Sequence, residues 1–320
     1  MRDLVATRLG RGDSDDHIAS RAIVRASAAH PHHVMLCTMK HLGILAHSTE
    51  GAALCLRAFC QEGFAELAPN EHPDVSLDCI ALARSMPAWE ARDYASIRAT
   101  LALSVQRLAA AGADYFVCPD NTAHIALEQP GSELALAGMH IAEVVAGRAA
   151  RDGRKRVGVL GTKYLMEMPL YPRVLAGHGI AAELPGDNDR RIVNEIIFEE
   201  LVNGVFTANS RGEFARIIAE FADRGCDAVA LVCTEIPLLV TPDASPLPTL
   251  DSTRLLARAA FDVAVGRRAM PTWRGGPAHD TDRQSAPCQP TVRGAGPSAG
   301  GTKESAHWPV RPCASFSASV

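Results

Sequence analysis

Two short polar segments, each following a buried strand, carry the residues best suited to chemistry. Residues 118–124 read Cys-Pro-Asp-Asn-Thr-Ala-His, and residues 233–237 read Cys-Thr-Glu-Ile-Pro. Each segment lies where a strand is expected to end and a helix to begin, so backbone N–H groups and the helix dipole can hold a carboxylate there. The same dipole favours the thiolate that a proton-abstracting or nucleophilic cysteine requires. The two segments predict a carboxylate-binding site in which Cys233 is the reactive thiol.

Asp120 lies in the first segment, and three roles are open for this position. A cleft that removes water from its carboxylate would raise its pKa and suit it to proton transfer as an acid or base. Cys118, two residues earlier on the same side of the strand, could reach the cleft instead. The third role is a cap on the following helix, a common use of aspartate. His124 lies four residues after Asp120, on the same helical face, and is either its partner or a structural histidine.

Hydroxyl and amide side chains lie at the strand ends, where a substrate carboxylate would be bound. The predicted substrate-binding residues are Asn121, Thr122, Thr162, Thr234 and Ser48. Glu235 is either an acid/base group or a glutamate that begins a helix. The histidines at positions 30, 32 and 33 form a compact cluster in a segment with no pattern, and we predict no metal site.

Short apolar runs alternate with long amphipathic segments through the middle of the chain. The expected strands are 42–46, 115–118, 157–160 and 228–232, and the expected helices are 51–63, 94–111, 190–203 and 211–224. Continuous apolar strands between helices indicate a parallel sheet that is covered on both faces. The predicted fold class is α/β.

A weak internal repeat relates the two polar segments to each other. Residues 111–122 align with residues 224–235 as helix end, glycine, aspartate, strand and polar turn. The aligned pairs are Gly112 with Gly225, Asp114 with Asp227, and Asp120 with Cys233. Ligands of open α/β sheets bind at the carboxyl ends of the strands. Two like-folded halves that face each other would therefore present both polar segments to one cleft.

The composition of the chain changes near Met39 and again near Arg268. Residues 1–38 mix Arg, Asp, Ser and His without a sustained period, and we expect an unstructured N-terminal extension. Residues 268–320 are rich in Pro, Gly and Ser, and they contain too little apolar surface to offset the entropy of ordering. This second segment is predicted to be a disordered tail.

The bulk composition limits the classes of partner. The chain has 320 residues and a formal net charge of -4, which gives no basic field for nucleic acid. No stretch approaches the ~20 apolar residues that cross a bilayer, and the N-terminus lacks the order of a signal peptide. Nine cysteines without CxxC spacing indicate reduced thiols. We expect a cytoplasmic protein with a small carboxylate substrate, no nucleic-acid partner and no membrane association.

Taken together, the motifs resemble the aspartate/glutamate racemase family, whose members invert a carbon next to a carboxylate. The resemblance runs from about Lys40 to Gly266. It rests on residues 43–51 (Gly-Ile-Leu-Ala-His-Ser-Thr-Glu-Gly), 119–124 (Pro-Asp-Asn-Thr-Ala-His), 158–162 (Gly-Val-Leu-Gly-Thr), 233–239 (Cys-Thr-Glu-Ile-Pro-Leu-Leu) and 250–254 (Leu-Asp-Ser-Thr-Arg).

This resemblance implies a fold and a mechanism. The implied fold has two flavodoxin-like parallel-sheet halves related by a pseudo-twofold axis, with the active site in the cleft between them. Residues 39–150 with 251–267 would form the first half, and residues 151–250 the second. The implied mechanism needs no cofactor, because two cysteines flank the α-carbon and one removes the proton that the other replaces on the opposite face. The resemblance also favours a homodimer.

The sequence departs from that family pattern at one of the two cysteine positions. Cys233 matches the second cysteine, whereas Asp120 occupies the first. The leading hypothesis is a racemase or isomerase of a small acidic amino acid, with Cys233 and Asp120 transferring protons at the α-carbon. One alternative is a one-thiol decarboxylase or a maleate-isomerase-like enzyme of the same superfamily. Another is a catalytically silent carboxylate-binding protein.

The side chain of the substrate is expected to contact two segments outside these motifs. Residues 85–93 and 207–211 are the candidate specificity loops. Arg92 and Arg211 are the residues in them that could bind a second carboxylate. Nothing in either segment demands that role, so the sequence leaves the substrate open.

Overall fold

The chain forms two parallel sheets of the same topology, and the two polar segments follow their strands. The structure, a computed structural model, describes residues 39–278. The strands are β1 (Leu42–Ala46), β2 (Val75–Cys79), β3 (Tyr115–Val117), β4 (Gly138–Met139), β5 (Arg156–Leu160), β6 (Ala181–Glu183), β7 (Ala228–Leu231) and β8 (Thr249–Asp251). The first sheet has the order β2-β1-β3-β4 and the second the order β6-β5-β7-β8, with neighbouring strands parallel.

Helices connect these strands and cover the sheets. They are α1 (Thr49–Glu66), α2 (Met86–Glu90), α3 (Tyr94–Ala110), α4 (Ala123–Leu127), α5 (Ile141–Arg151), α6 (Lys163–Glu167), α7 (Leu170–Gly177), α8 (Asp187–Glu195), α9 (Ala208–Asp223), α10 (Ile236–Leu239) and α11 (Ser252–Ala264). Short 3₁₀ turns span Leu82–Arg84, Leu201–Asn203 and Pro242–Ala244. The predicted α/β class with parallel sheets is confirmed.

The hydrophobic core explains why β1 is apolar along its whole length. All five residues of β1 are buried, because α1 and α11 cover one of its faces and α3 the other. Phe59 of α1 and Phe261 of α11 meet edge to face, with ring centroids 6.0 Å apart. Helix α11 follows β8 of the second sheet but packs on α1 beside the first. Both sheets consequently belong to one compact unit.

The internal repeat inferred from the sequence has a structural counterpart in both sheets. Gly112 and Gly225 adopt positive φ angles of 89° and 80°, a conformation that glycine tolerates best, and each ends the turn before a central strand. The carboxylate of Asp114 accepts a hydrogen bond from the backbone N–H of His41 at 2.8 Å. Asp227 accepts one from Lys155 at 2.7 Å in the other half. Equivalent residues therefore fix the entry into β1 and into β5.

The helix predicted over residues 190–203 differs from the one observed. Helix α8 ends at Glu195, a π-helical turn follows over Ile196–Glu200, and a 3₁₀ turn closes the segment. Single π turns add a residue to the helical repeat and occur frequently at functional sites. Here the turn exposes Phe198 to solvent while Ile197 stays buried. An uninterrupted amphipathic pattern could not reveal this break.

The predicted disordered tail includes residues 268–278, which have a defined structure. Gly138 donates a backbone hydrogen bond to the carbonyl of Trp273 at 2.8 Å, and the two residues form an isolated β-bridge. The Trp273 ring stacks on His124 with centroids 5.8 Å apart. One aromatic ring thus anchors a segment whose average composition is polar. The predictions for residues 1–38 and 279–320 lie outside the described residues.

No helix within residues 39–278 is long and apolar enough to cross a membrane.

Gly158 of β5 offers a test of this packing. A Cβ atom there would lie 2.4 Å from the ring of the buried Phe221, so we expect Gly158→Ala to cost about 1–3 kcal/mol of unfolding free energy. Gly212 is the matched control, because it is exposed within α9 and its added Cβ meets no atom within 4 Å. Gly212→Ala should stabilise the protein by up to about 1 kcal/mol through helix propensity. Thermal unfolding of both variants would show shifts of opposite sign, and equal shifts would contradict this packing.

Candidate active site

The register between β1 and β3 brings His47 to Asp120. Leu42 pairs with Tyr115 and Ile44 with Val117. The same register, continued three residues beyond the pair of Ile44 and Val117, places His47 opposite Asp120. The Nδ1 atom of His47 lies 2.6 Å from Oδ2 of Asp120, and both side chains are largely buried. A carboxylate–imidazole pair therefore lies at the carboxyl end of the first sheet.

Of the three roles left open by the sequence, the cap is the one that the structure shows for Asp120, and the raised pKa expected for the acid/base role is not found. Its Oδ1 atom accepts a hydrogen bond from the backbone N–H of Ala123 at 3.1 Å, as a cap on the turn before α4. Its Oδ2 atom contacts His47. Burial raises the pKa of Asp120, but the electrostatic interaction and hydrogen bond of His47, with the Ala123 N–H, bring that pKa below its ordinary value. At neutral pH the group is a carboxylate, the form that can accept a proton.

His47 is fixed on its other side by an aromatic residue of α2. The indole Nε1 of Trp89 donates to Nε2 of His47 at 3.3 Å, and Ser85 Oγ lies 3.4 Å from the same nitrogen. Because an indole N–H can only donate, Nε2 accepts and a neutral His47 carries its proton on Nδ1. That proton faces Asp120. The contact between Trp89 and His47 thus sets the tautomer that supports the carboxylate.

The second polar turn contains a different pair, a thiol and a carboxyl group. The register of β5 with β7, which pairs Val157 with Ala228, places Thr162 opposite Cys233 when continued. The thiol of Cys233 donates to Oε2 of Glu235 at 3.0 Å. Burial is the largest cause that raises the pKa of Cys233 well above its usual value, and the charge and hydrogen bond of Glu235 raise it further.

The prediction that Cys233 rests as a thiolate is therefore wrong. Helix α10 has only four residues, so its dipole stabilises a thiolate only weakly. The Cys233 thiol is buried, and the carboxylates of Glu235 and Asp120 lie close enough to raise its pKa. Negative neighbours disfavour a second negative charge. Cys233 rests as a thiol, which is the acid form of the group.

Hydroxyl groups from both halves converge beside these pairs. Thr122 follows the first turn and Thr162 follows β5, and their Oγ1 atoms are 3.3 Å apart. Thr234 is buried next to Cys233. Ser48 caps α1, since its Oγ accepts from the backbone N–H of Gly51 at 3.3 Å. Ser48, Thr122, Thr162 and Thr234 all line the same cavity as Asp120 and Cys233.

The close approach of α1 to both polar turns depends on Gly51. A Cβ atom at this position would lie 2.4 Å from the carbonyl oxygen of Pro119 and 2.7 Å from Cγ2 of Thr234. These contacts come from the two different halves. A side chain at residue 51 would push the turns away from the start of α1.

Asn121 lines the cavity, but its side chain is already engaged. Its Nδ2 atom donates to Ser252 Oγ at 2.9 Å, and its Oδ1 atom accepts from the hydroxyl of Tyr171 at 2.6 Å. The residue is 3% exposed. These bonds hold the Asp120 turn against α7 and α11, so the side chain of Asn121 serves to position that turn.

Cys118 and His124, the predicted supporting residues, do not line the cavity. Cys118 is fully buried in the core beneath the turn, and burial raises its pKa well above the ordinary value. His124 donates from Nδ1 to the carbonyl of Asp120 at 2.9 Å and accepts at Nε2 from the N–H of Ile141. Burial, with His140 beside it, lowers the pKa of His124 to about 3. Of the two roles left open for His124, these contacts show the structural one, because His47 contacts the Asp120 carboxylate instead.

The cavity between the two sheet ends has a volume of about 200 Å³. The apolar part of the lining includes Leu82, Met86, Trp89, Tyr164, Phe198 and Val202. Met86 and Trp89 lie in the predicted specificity segment 85–93, whereas sequence reasoning missed the other four and missed His47 as a partner of Asp120. The strand register could have identified His47, but the apolar residues lie on separate helices and turns that no local pattern connects. Within residues 39–278, no group of three or more His, Cys, Asp and Glu side chains is arranged to hold a metal.

Known proteins resemble this chain in sequence and in fold. Residues 58–260 match the model of the family described as Asp/Glu/hydantoin racemase. A 171-residue alignment with the broad-specificity amino-acid racemase RacX of Bacillus subtilis has 23% identity and covers 53% of this chain and 74% of RacX. The crystal structure of a candidate Asp/Glu racemase from Yersinia pestis has 31% identity and a TM-score of 0.64, over 71% of this chain and 100% of that one. An aspartate racemase homologue from Pyrococcus horikoshii has 25% identity and a TM-score of 0.62, over 71% and 99%.

The lowered pKa of Asp120 makes a prediction about stability and pH. A carboxylate whose pKa is lower in the folded than in the unfolded state stabilises the fold above its unfolded pKa of about 4. That contribution disappears as the pH falls through the lowered pKa. We therefore expect Asp120→Asn to lose less unfolding free energy than the native chain between pH 7 and pH 3, as measured by denaturant titration. Asp243→Asn, at an exposed position, is the control and should keep the native pH dependence.

The pair formed by Cys233 and Glu235 makes a prediction about reactivity. Glu235→Gln removes a negative charge that raises the pKa of the thiol, so we expect Cys233 to react faster with iodoacetamide at pH 8. Mass spectrometry of the peptide that contains Cys233 would measure the rate. Glu167→Gln, at an exposed position on α6, should leave it unchanged. An unchanged or slower reaction in Glu235→Gln would contradict the role given to Glu235.

Proposed function

Because the chain belongs to the Asp/Glu/hydantoin racemase family, we propose that it racemises a free amino acid with Asp120 and Cys233 as its two proton-transferring groups. The enzyme is an isomerase of the cofactor-independent kind. Asp120 acts on one face of the α-carbon and Cys233 on the other. The substrate is a small amino acid that fits the cavity between the two sheet ends.

One observation carries this assignment. Asp120 and Cys233 occupy aligned positions of the internal repeat, they line one cavity, and each contacts its own titratable partner. His47 is the partner of Asp120, and Glu235 is the partner of Cys233. Pairs of titratable groups whose surroundings move their pKa values apart mark the acid and the base of an active site.

The opposite pKa shifts give each group a starting role. Asp120 begins as a carboxylate and takes the α-proton of the enantiomer whose hydrogen faces it. The electron pair of the broken C–H bond then moves into the carboxyl group of the substrate. The Cys233 thiol delivers its proton to the opposite face of the α-carbon. Asp120 ends protonated and Cys233 ends as a thiolate, so the other enantiomer reacts by the reverse sequence.

The developing enolate-like charge needs donors that are already in place. Thr122, Thr162, Thr234 and Ser48 surround the cavity with hydroxyl groups, and the backbone N–H groups at the start of α1 lie beside Ser48. Preorganised donors of this kind stabilise the transition state more than the ground state. The carboxylates of Asp120 and Glu235 match the ammonium group of an amino acid.

Solvent exchange tests the proposal. In D₂O the native enzyme should place deuterium at the α-carbon of the inverted product. Cys233→Ser and Asp120→Asn should each slow racemisation by at least about 100-fold, since each removes a proton-transferring group. Each variant should retain exchange without inversion only for the enantiomer whose proton faces the remaining group, and the two variants should differ in that enantiomer. Chiral chromatography with mass spectrometry measures both quantities.

Cys79→Ser is the matched control, because Cys79 is an exposed thiol outside the cavity and should be dispensable. Full racemisation in Cys233→Ser would refute the role of the thiol. Release of carbon dioxide with a single enantiomer as product would show that the enzyme is a decarboxylase and not a racemase.

A further inference from the structure

The active-site cavity has an apolar end next to its polar end. Leu82, Met86 and Trp89 line it from the first half, and Tyr164, Phe198 and Val202 line it from the second. The rings of Trp89 and Tyr164 lie 6.2 Å apart between centroids. Trp89 also donates a hydrogen bond to His47, so the apolar end begins directly beside the pair of Asp120 and His47.

The mouth of the cavity is apolar as well. Leu82, Met86, Phe198 and Val202 are 43%, 40%, 46% and 44% exposed, and each lines the cavity. Two of them come from the segment before α3 and two from the π-helical turn and the 3₁₀ turn that follows it. Large apolar side chains gathered on both sides of one opening mark a binding site for apolar groups.

The charges around the cavity do not suit a second carboxylate. Its ionisable lining residues among the described positions are His47, Asp120, Tyr164, Cys233 and Glu235, with no lysine or arginine. Two of these are carboxylic acids, and the histidine is bound to one of them. A substrate carboxylate in the apolar end would lose its water without gaining a counter-charge, which is strongly unfavourable.

The basic residues nearest in sequence to the cavity lining, Arg84, Arg92 and Lys163, are exposed and are not among the residues that line it. Arg211 donates from Nε to the carbonyl of Leu239 at 3.2 Å, and neither it nor the exposed Arg92 lines the cavity. Lys163 precedes Tyr164, but it is exposed and its Nζ lies 5.3 Å from the centroid of the Tyr164 ring. The role of Arg92 and Arg211 as binders of a second carboxylate is therefore not supported.

From these observations we infer that the substrate carries an uncharged apolar side chain, branched aliphatic or aromatic, instead of the acidic side chain that the sequence motifs suggest. The inference rests on the proposed function for the placement of the α-carbon. The α-carboxylate and ammonium would lie at the polar end, and the side chain would point between Trp89 and Phe198. A cavity of about 200 Å³ has room for such a group, because an apolar cavity of ~150 Å³ holds benzene.

Leucine and aspartate are the decisive pair of substrates, because their side chains have the same branched shape and differ in charge. We expect kcat/KM of the native enzyme for racemisation of leucine to exceed that for aspartate by at least about 100-fold. Calorimetric titration with each enantiomer of both amino acids gives a second measurement that does not need turnover. Leucine should bind, and aspartate should bind at least about 10-fold more weakly.

A cation introduced at the apolar mouth should change this preference. Phe198→Arg places a guanidinium at the cavity, and we expect the ratio of leucine to aspartate activity to fall by at least about 10-fold. Phe206→Arg is the matched control, because Phe206 is 40% exposed and does not line the cavity. It should leave the ratio unchanged. Lys163→Met should also leave the ratio unchanged, and a loss of aspartate activity in that variant would identify a counter-charge and overturn the inference.

The outcomes separate the two proposals. A preference for aspartate, or failure of leucine and phenylalanine to bind, would overturn the inference that the substrate has an apolar side chain. Exchange of the α-proton of aspartate would still support the proposed racemase chemistry. Binding of leucine without any exchange would support the apolar pocket and contradict the proposed racemase chemistry. Equal effects of Phe198→Arg and Phe206→Arg would also contradict the pocket assignment.

Discussion

A carboxylate buried at the end of a parallel strand must find its compensating partners inside the protein, since water no longer solvates it. Asp120 meets this constraint through the 2.6 Å contact with His47 and the hydrogen bond from Ala123. The histidine is available because β1 and β3 share a register, and its tautomer is set because Trp89 donates to its far nitrogen. One chain of contacts therefore connects the sheet, the reactive carboxylate and the apolar end of the cavity. A change in any member alters the contacts that hold the Asp120 carboxylate in place.

The two halves share a topology but have diverged in the group that each presents. The same strand order and equivalent Asp114 and Asp227 contacts maintain the frame. Within that frame, one turn offers a carboxylate stabilised by an imidazole and the other a thiol next to a carboxylate. The surroundings favour the charged form of Asp120 and the neutral form of Cys233. In the proposed reaction, this repeated scaffold supplies a base on one face of the α-carbon and an acid on the other.

Much of the frame follows from local sequence patterns, whereas the lining of the site does not. Apolar runs and the Gly112 and Gly225 turns are local signals, so the central strands β1, β3, β5 and β7, the fold class and the turns that bear Asp120 and Cys233 could be predicted, whereas the shorter or less buried outer strands could not. His47 could not be paired with Asp120 without the register of strands 73 residues apart. The order imposed by Trp273 depends on one ring among polar neighbours, and the π-helical turn leaves no mark on an amphipathic pattern. Motif resemblance suggested an acidic substrate because the motifs contain the polar end of the cavity alone.

The unequal pair of Asp120 and Cys233 also has a thermodynamic consequence. Two enantiomers in water have the same free energy, so their equilibrium constant is one whatever groups line the enzyme. The value of kcat/KM measures the free energy of the transition state above free enzyme and free substrate. It must therefore be the same for the two enantiomers. The asymmetry can appear only in kcat and KM separately. In the proposed reaction, kcat includes a return step, in which a proton must pass from Asp120 back to Cys233 before the same enantiomer can react again.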